Sequence, residues 1–224
     1  QTSKFAAREQ RTYTVADGSD VAIGSTGVFI NVVVTQPEGP GSGFLTIYPG
    51  ECQTSPPQVS AINFSPGLTI ANTVLAPLST DGKLCVFSSK AAHVLLDVTG
   101  ALSPSGSNTY SAITPQRQVD TRNGNAVASQ VIGTVKPRVP VTIPLAVPDG
   151  TTAAAVSLVA INPPAGGFIT AYPCDEARPG TSSLNYATDT RPNAVIVPVS
   201  AQKTICVFST QELHLIVDLA GWFN

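Results

Sequence analysis

The stretch Cys85-Val86-Phe87-Ser88-Ser89-Lys90-Ala91-Ala92-His93-Val94-Leu95-Leu96-Asp97-Val98-Thr99-Gly100 returns near the end of the chain. There it reads Cys206-Val207-Phe208-Ser209-Thr210-Gln211-Glu212-Leu213-His214-Leu215-Ile216-Val217-Asp218-Leu219-Ala220-Gly221. Working outward, Tyr48-Pro49 recurs as Tyr172-Pro173, Cys52 as Cys174, Asn63-Phe64 as Asn185-Tyr186, Asn72 as Asn193 and Pro77 as Pro198. The offset stays at 121 to 124 positions throughout, so loops alone differ in length. Self-similarity at a fixed long period marks a duplicated folding unit, and 224 residues then divide into two units, each large enough to bury a core. The expected boundaries are 1–104 and 105–224.

Periodicity inside each unit is that of strands. Residues 28–34, 44–48, 72–76, 84–87 and 94–98 are β-branched or aromatic runs separated by Gly, Pro, Ser and Asp-Gly turns. Nineteen prolines and eighteen glycines leave no capped 3.6-period segment. The nearest helix candidate, residues 151–159, reads as a strand because it aligns with the Val-rich run at 28–34. Asp81-Gly82 is a hairpin signal. The predicted class is all-β: two tandem antiparallel units, each a sandwich or barrel-like fold.

Charge excludes whole classes of function. Only 12% of residues are charged and the net charge is -2, so no basic field exists to hold a phosphate backbone, and nucleic acid is not expected as a partner. The longest apolar runs are strand-length, well short of the roughly 20 residues a membrane helix needs. No membrane span is predicted.

The four cysteines fall at equivalent places in the two copies. Four cysteines allow three connectivities, and the duplication selects Cys52 with Cys85 and Cys174 with Cys206, each bridge inside its own unit. A structural zinc site fits poorly, since there is no CxxC and each unit offers two thiols and one histidine. Disulfides together with the absence of methionine point to an oxidising, extracellular compartment.

Residues 101–108, with their Ser-Pro-Ser-Gly-Ser core, read as the linker between units. Beyond it, residues 113–124 contain Pro115-Gln116-Arg117-Gln118-Val119-Asp120-Thr121-Arg122, a leader with no counterpart in the first copy. Three arrangements could supply the missing element: residues 1–13 take its place, the second copy's leader crosses over, or another chain provides it. Cover by the chain's own residues 1–13 is the primary expectation, with docking of another chain the alternative.

These residues resemble a tandem repeat module of secreted bacterial, mostly actinobacterial, proteins. Its marks are a Pro-x-Arg-x-x-Asp-Thr-Arg leader, Gly-Tyr-Pro turns, a Ser-x-x-Asn, a central Asn and a closing Asp-x-x-Gly-aromatic-Phe. The second copy carries them as Pro115 through Arg122, Ser182-Ser183-Leu184-Asn185 and Asp218-Leu219-Ala220-Gly221-Trp222-Phe223. The first copy lacks the leader and ends Asp97-Val98-Thr99-Gly100-Ala101-Leu102. The resemblance covers nearly the whole chain and implies a non-catalytic surface or attachment module that accompanies hydrolase domains.

The duplicated His and Asp invite a catalytic reading, but His93 to Asp97 and His214 to Asp218 are four strand residues apart, roughly 13 Å. That is beyond proton-transfer reach. No nucleophile elbow, His-Glu-x-x-His, phosphate loop or paired-carboxylate cluster occurs, so no catalytic or metal residue is assigned and no cofactor is expected. The two aspartates are expected to accept backbone or hydroxyl hydrogen bonds at a strand end. Arg117, Asp120 and Arg122 form the densest charged cluster and are expected to pin a loop, with a carboxylate or sugar-acid site as the sharper alternative. Tyr48, Tyr172 and Trp222 are candidate sugar-stacking rings, although Trp222 also suits a core edge. Asn63 and Asn185 are candidate hydroxyl partners or turn-formers.

The leading functional expectation is a secreted, non-catalytic module that docks to a cell-wall or surface glycan or to a partner protein. The alternative is a structural subunit of an extracellular filament, layer or particle, self-associating through a sheet edge.

Overall fold

β-Branched side chains suit a pleated, half-buried surface, and here the alternating runs become fifteen strands. The computed structural model describes residues 3–123 and 133–224, and no helix occurs among them. Gly124, at the end of the leader, and Gln1 and Thr2 lie outside the described residues. The chain separates into two compact units, Gln1–Ser107 and Asn108–Asn224.

In the first unit, β1 (Glu9–Thr14), β6 (Lys83–Ser88), β3 (Gly43–Pro49) and β4 (Ile62–Phe64) form one sheet in that order. β5 (Ile70–Pro77), β2 (Gly27–Thr35) and β7 (His93–Leu102) form the other. The second unit has β9 (Val141–Pro144), β14 (Thr204–Ser209), β11 (Gly167–Pro173) and β12 (Leu184–Tyr186) in one sheet. Its other sheet runs β13 (Arg191–Pro198), β10 (Ala153–Ile161), β15 (His214–Phe223) and β8 (Tyr110–Asp120). All pairs are antiparallel.

Each core is filled from the facing sides of its two sheets. Val28, Ile30, Val32 and Val34 alternate along β2 and pack with Leu45, Ile47, Leu84 and Val86. In the second unit Ala154, Val156, Leu158 and Ala160 of β10 meet Ile169, Ile205 and Val207, with Leu215, Val217 and Leu219 of β15. Full burial of one such Leu or Ile side chain contributes about 1.5–3 kcal/mol.

The central strands pair in one register in both units. Asn31 lies opposite Asp97 and Phe29 opposite Gly100, with a bulge between Phe29 and Ile30 that leaves Thr99 over. Ser157 lies opposite Asp218 and Ala155 opposite Gly221, with a bulge between Ala155 and Val156 that leaves Ala220 over.

Four expectations need correction. Asp81-Gly82 is a tight turn in which Gly82, at φ +74°, donates to the Ser79 carbonyl. It joins β5 to β6, which belong to different sheets, so it closes no hairpin. The linker begins later than residue 101, because Ala101 and Leu102 extend β7 and the Leu102 carbonyl accepts from Thr26 N at 2.8 Å. The leader does not cross over: β8 pairs with β15 of its own unit. Finally, the described part of residues 1–13 does not take the leader's place. β1 pairs with β6 as β9 pairs with β14, and the Phe5–Ala92 bridge matches Val135–Leu213. Arg8 and Arg138 share a left-handed backbone, at φ 64° and 63°, in the turns between. The amino-terminal stretch therefore matches residues 133–144, downstream of the leader.

Candidate functional site

The strand β8 shows what a leader does when it is present. Its partner β15 faces it with Val217 opposite Val119, Asp218 opposite Arg117 and Ile216 opposite Asp120. Val119 enters the core with no exposed surface. On the other face Arg117 Nε donates to Asp218 at 2.5 Å and its Nη1 to Asp120 at 2.9 Å. Arg122 donates to Asp120 from its backbone N at 3.1 Å, Nε at 2.9 Å and Nη2 at 2.8 Å. The Arg122 side-chain bonds hold the Asp120 carboxyl down to about 2, against the opposing effect of its burial. Thr121 completes the clasp: its Oγ1 accepts from Leu215 N at 2.9 Å and lies 3.1 Å from His214 Nδ1. Gln118, fully buried, accepts from Ala146 N at 2.9 Å.

The cluster of Arg117, Asp120 and Arg122 thus pins a strand and its following turn, and it draws in Asp218. Sequence reasoning placed Asp218 against backbone or hydroxyl donors, whereas its observed donor is a guanidinium. The reason is the register, which a linear reading of the chain does not contain.

Strand β7 occupies the place of β15 in the first unit, but no strand lies beyond it among the described residues. The physical consequences follow residue by residue. Leu95 is 46% exposed where Ile216 is 7%, and Val98 is 42% exposed where Leu219 is fully buried. Asp97 pairs with the Asn31 side chain, and burial pushes its carboxyl up. No ion pair reaches it among the described residues. Alongside β7 runs a groove of about 630 Å³, lined by Ser3, Tyr13, Thr35, His93, Leu96 and Asp97 among others. Tyr13 holds the register position of Ile143, which is fully buried in the second unit. The other ends of the first unit's sheets, β1, β4 and β5, match the ends β9, β12 and β13 of the second, so among the described residues β7 alone changes status.

The remaining predicted site residues are dispersed. Tyr48 and Tyr172 keep only 4% and 7% exposure, leaving no ring face for a sugar. Tyr48 donates to Gln10 Oε1 at 2.6 Å and accepts from Gln53 N at 2.9 Å. Asn63 and Asn185 donate to Ser60 and Ser182 hydroxyls three residues before them, a local turn-forming bond. Trp222 lies against the second core, its Nε1 buried and without a hydrogen-bond partner among the described residues. Cys52 is bonded to Cys85 and Cys174 to Cys206, each bridge tying β6 or β14 to the segment after β3 or β11. No group of three or more His, Cys, Asp or Glu among the described residues could hold a metal ion, and no helix is long and apolar enough to cross a membrane.

The architecture defines a chain of two disulfide-stapled, antiparallel all-β units with one sheet a strand short of its counterpart. It matches no family model, no curated protein and no solved structure.

Proposed function

We propose that this chain is a secreted, non-catalytic surface module, built by internal duplication, that docks to a protein partner by accepting a strand at β7. One observation carries the reading: a strand that is central in the second unit ends a sheet in the first, with apolar residues left in solvent. Exposed strand edges that are flat and apolar are templates for strand addition. The resemblance to repeats of secreted actinobacterial proteins and the two disulfides support an extracellular surface setting. A protein partner suits the site better than a glycan, because the offered groups are backbone amides and a leucine-rich edge while the candidate aromatic rings are packed away.

The test is retention on envelope fragments of the producing cell. Native protein binds the fragments, protease treatment of the fragments removes that binding, and Leu95→Lys with Val98→Lys abolishes it without loss of folding. Retention that survives protease and disappears after glycan digestion assigns the module to a glycan instead. Polymer formation by the purified chain, growing with concentration, assigns it to an assembly.

A further inference from the structure

We infer that His214 is an acid trigger for the clasp at the end of β8: neutral, it accepts the Thr121 hydroxyl proton, and once protonated it leaves that hydroxyl for Glu212 and slackens the pairing of Thr121 with Leu215.

A proton count carries the argument. Thr121 has no exposed surface. Its backbone N donates to the Leu215 carbonyl at 3.1 Å, and its own carbonyl accepts from Gly133 N at 2.9 Å. Because its Oγ1 already accepts from Leu215 N at 2.9 Å, the hydroxyl's single proton needs an acceptor of its own. His214 Nδ1, at 3.1 Å, is the acceptor that the described residues offer. A neutral imidazole has one bare nitrogen and one N–H, so this bond assigns the ring proton to Nε2. Protonation places an N–H on both nitrogens. Two donors then face each other, and the hydroxyl either turns its proton into an interior without an acceptor for it or gives up the ring.

The ring has a second place to go. The carboxyl of Glu212, two residues earlier, is held below its ordinary value first by the bond from Lys136, then by the Thr134 hydroxyl, and His214 adds to the same effect through its charge. Glu212 is therefore ionised across the range in which imidazoles titrate, about pH 5 to 8, and draws an imidazolium toward itself. The other groups around His214 do not respond in that range. Ile161 of β10 lies opposite it, and Lys136, next to the Val135–Leu213 bridge, already bonds Glu212 at 2.6 Å. Asp120, opposite Ile216, sits between Arg117 and Arg122 with its carboxyl at about 2. Two bonded arrangements thus differ by one proton, which is what a pH-sensing histidine requires. The clasp's contribution is present above the imidazole range and lost as pH falls through it, well before Asp120 titrates. Mild acid frees the end of the leader strand while the arginine bonds to Asp120 hold.

The experiment follows the full chain by nitrogen-15 NMR from about pH 8 to 5, reading the tautomer of His214 and the exchange of the Leu215 amide corrected for its intrinsic pH dependence. At the alkaline end the ring proton sits on Nε2. As His214 titrates, corrected exchange at Leu215 rises about tenfold, the scale of one hydrogen bond. His214→Gln removes that step. Thr121→Ser, which keeps the hydroxyl, retains it, and Thr121→Val abolishes it together with the tautomer preference. A ring proton on Nδ1 at the alkaline end overturns the proposal, as does a step that survives in His214→Gln or a flat Leu215 profile while His214 titrates. If His214→Gln fails to fold, the native tautomer and the native Leu215 profile decide.

Discussion

The guanidinium of Arg117 bonds the Asp218 carboxylate across the β8–β15 pair, while its Nη1 reaches back to Asp120 three residues along its own chain. One side chain therefore fixes both where β8 lies and how its end turns. Arg117→Ala should destabilise the second unit by about 1 to 2 kcal/mol, tempered by the partial exposure of the pair. Thr121→Val, which leaves Leu215 N without its hydroxyl acceptor in the interior, should cost about 1 to 3 kcal/mol. Denaturant unfolding followed by exchange in each unit checks both, and the first unit's transition should not move.

Acid should act on Asp120 and Asp97 with opposite sign. Asp120 is held at about 2, below its ordinary value of 3.8, so it stabilises the folded state above pH 4 and that contribution is lost as pH falls from about 4 through 2. The loss is on the order of 2 kcal/mol, and Asp120→Asn should abolish the slope. Asp97 is shifted upward by burial, so its charged form costs stability above its folded pKa and protonation relieves that cost as pH falls. Comparing each unit's unfolding at descending pH with that of Asp120→Asn and Asp97→Asn checks both signs: the first substitution should flatten the acid loss of the second unit, and the second should stabilise the first unit at neutral pH.

Gly221→Ala and Gly100→Ala should part company although the residues hold one register position. The former drives a Cβ into the Ser111 carbonyl oxygen and should displace the outer part of β8, lowering the second unit's stability and speeding exchange at residues 110–112. The latter should leave the first unit's melting temperature within error.

Peptide mapping without reductant should recover Cys52 joined to Cys85 and Cys174 to Cys206. Replacing either pair with serine should cost about 2 to 5 kcal/mol, felt in the unit concerned.

Strand positions and cysteine partners were legible because both follow from local chemistry and from the comparison of one unit with the other. Val28 to Val34 is too β-branched and too regularly alternating to be anything but a buried strand, and its neighbours in space are the other alternating runs. What the linear text did not contain was pairing. Nothing in Asp120-Thr121-Arg122 names β15 as its partner, and nothing in residues 9–14 distinguishes a β6 neighbour from a β7 neighbour. The alignment signal was present but faint: Arg8 and Arg138 precede the two matching strands in the same left-handed turn, and a comparison begun there would have set residues 3–14 against 133–144. The open edge became visible only once the neighbours of β7 and β15 could be compared.

Each disulfide also sets a limit on how far the chain can be drawn out. β4 and β5 lie wholly between Cys52 and Cys85, and β12 and β13 between Cys174 and Cys206, across separations of 33 and 32 residues. At roughly 3.4 Å per extended residue, each closed loop withholds on the order of 110 Å of contour from a polypeptide under tension. A tether made of these units would give up β1 or β7 to a pulling force while β4, β5, β12 and β13 stayed shielded, and only a reductant would release the rest of its length.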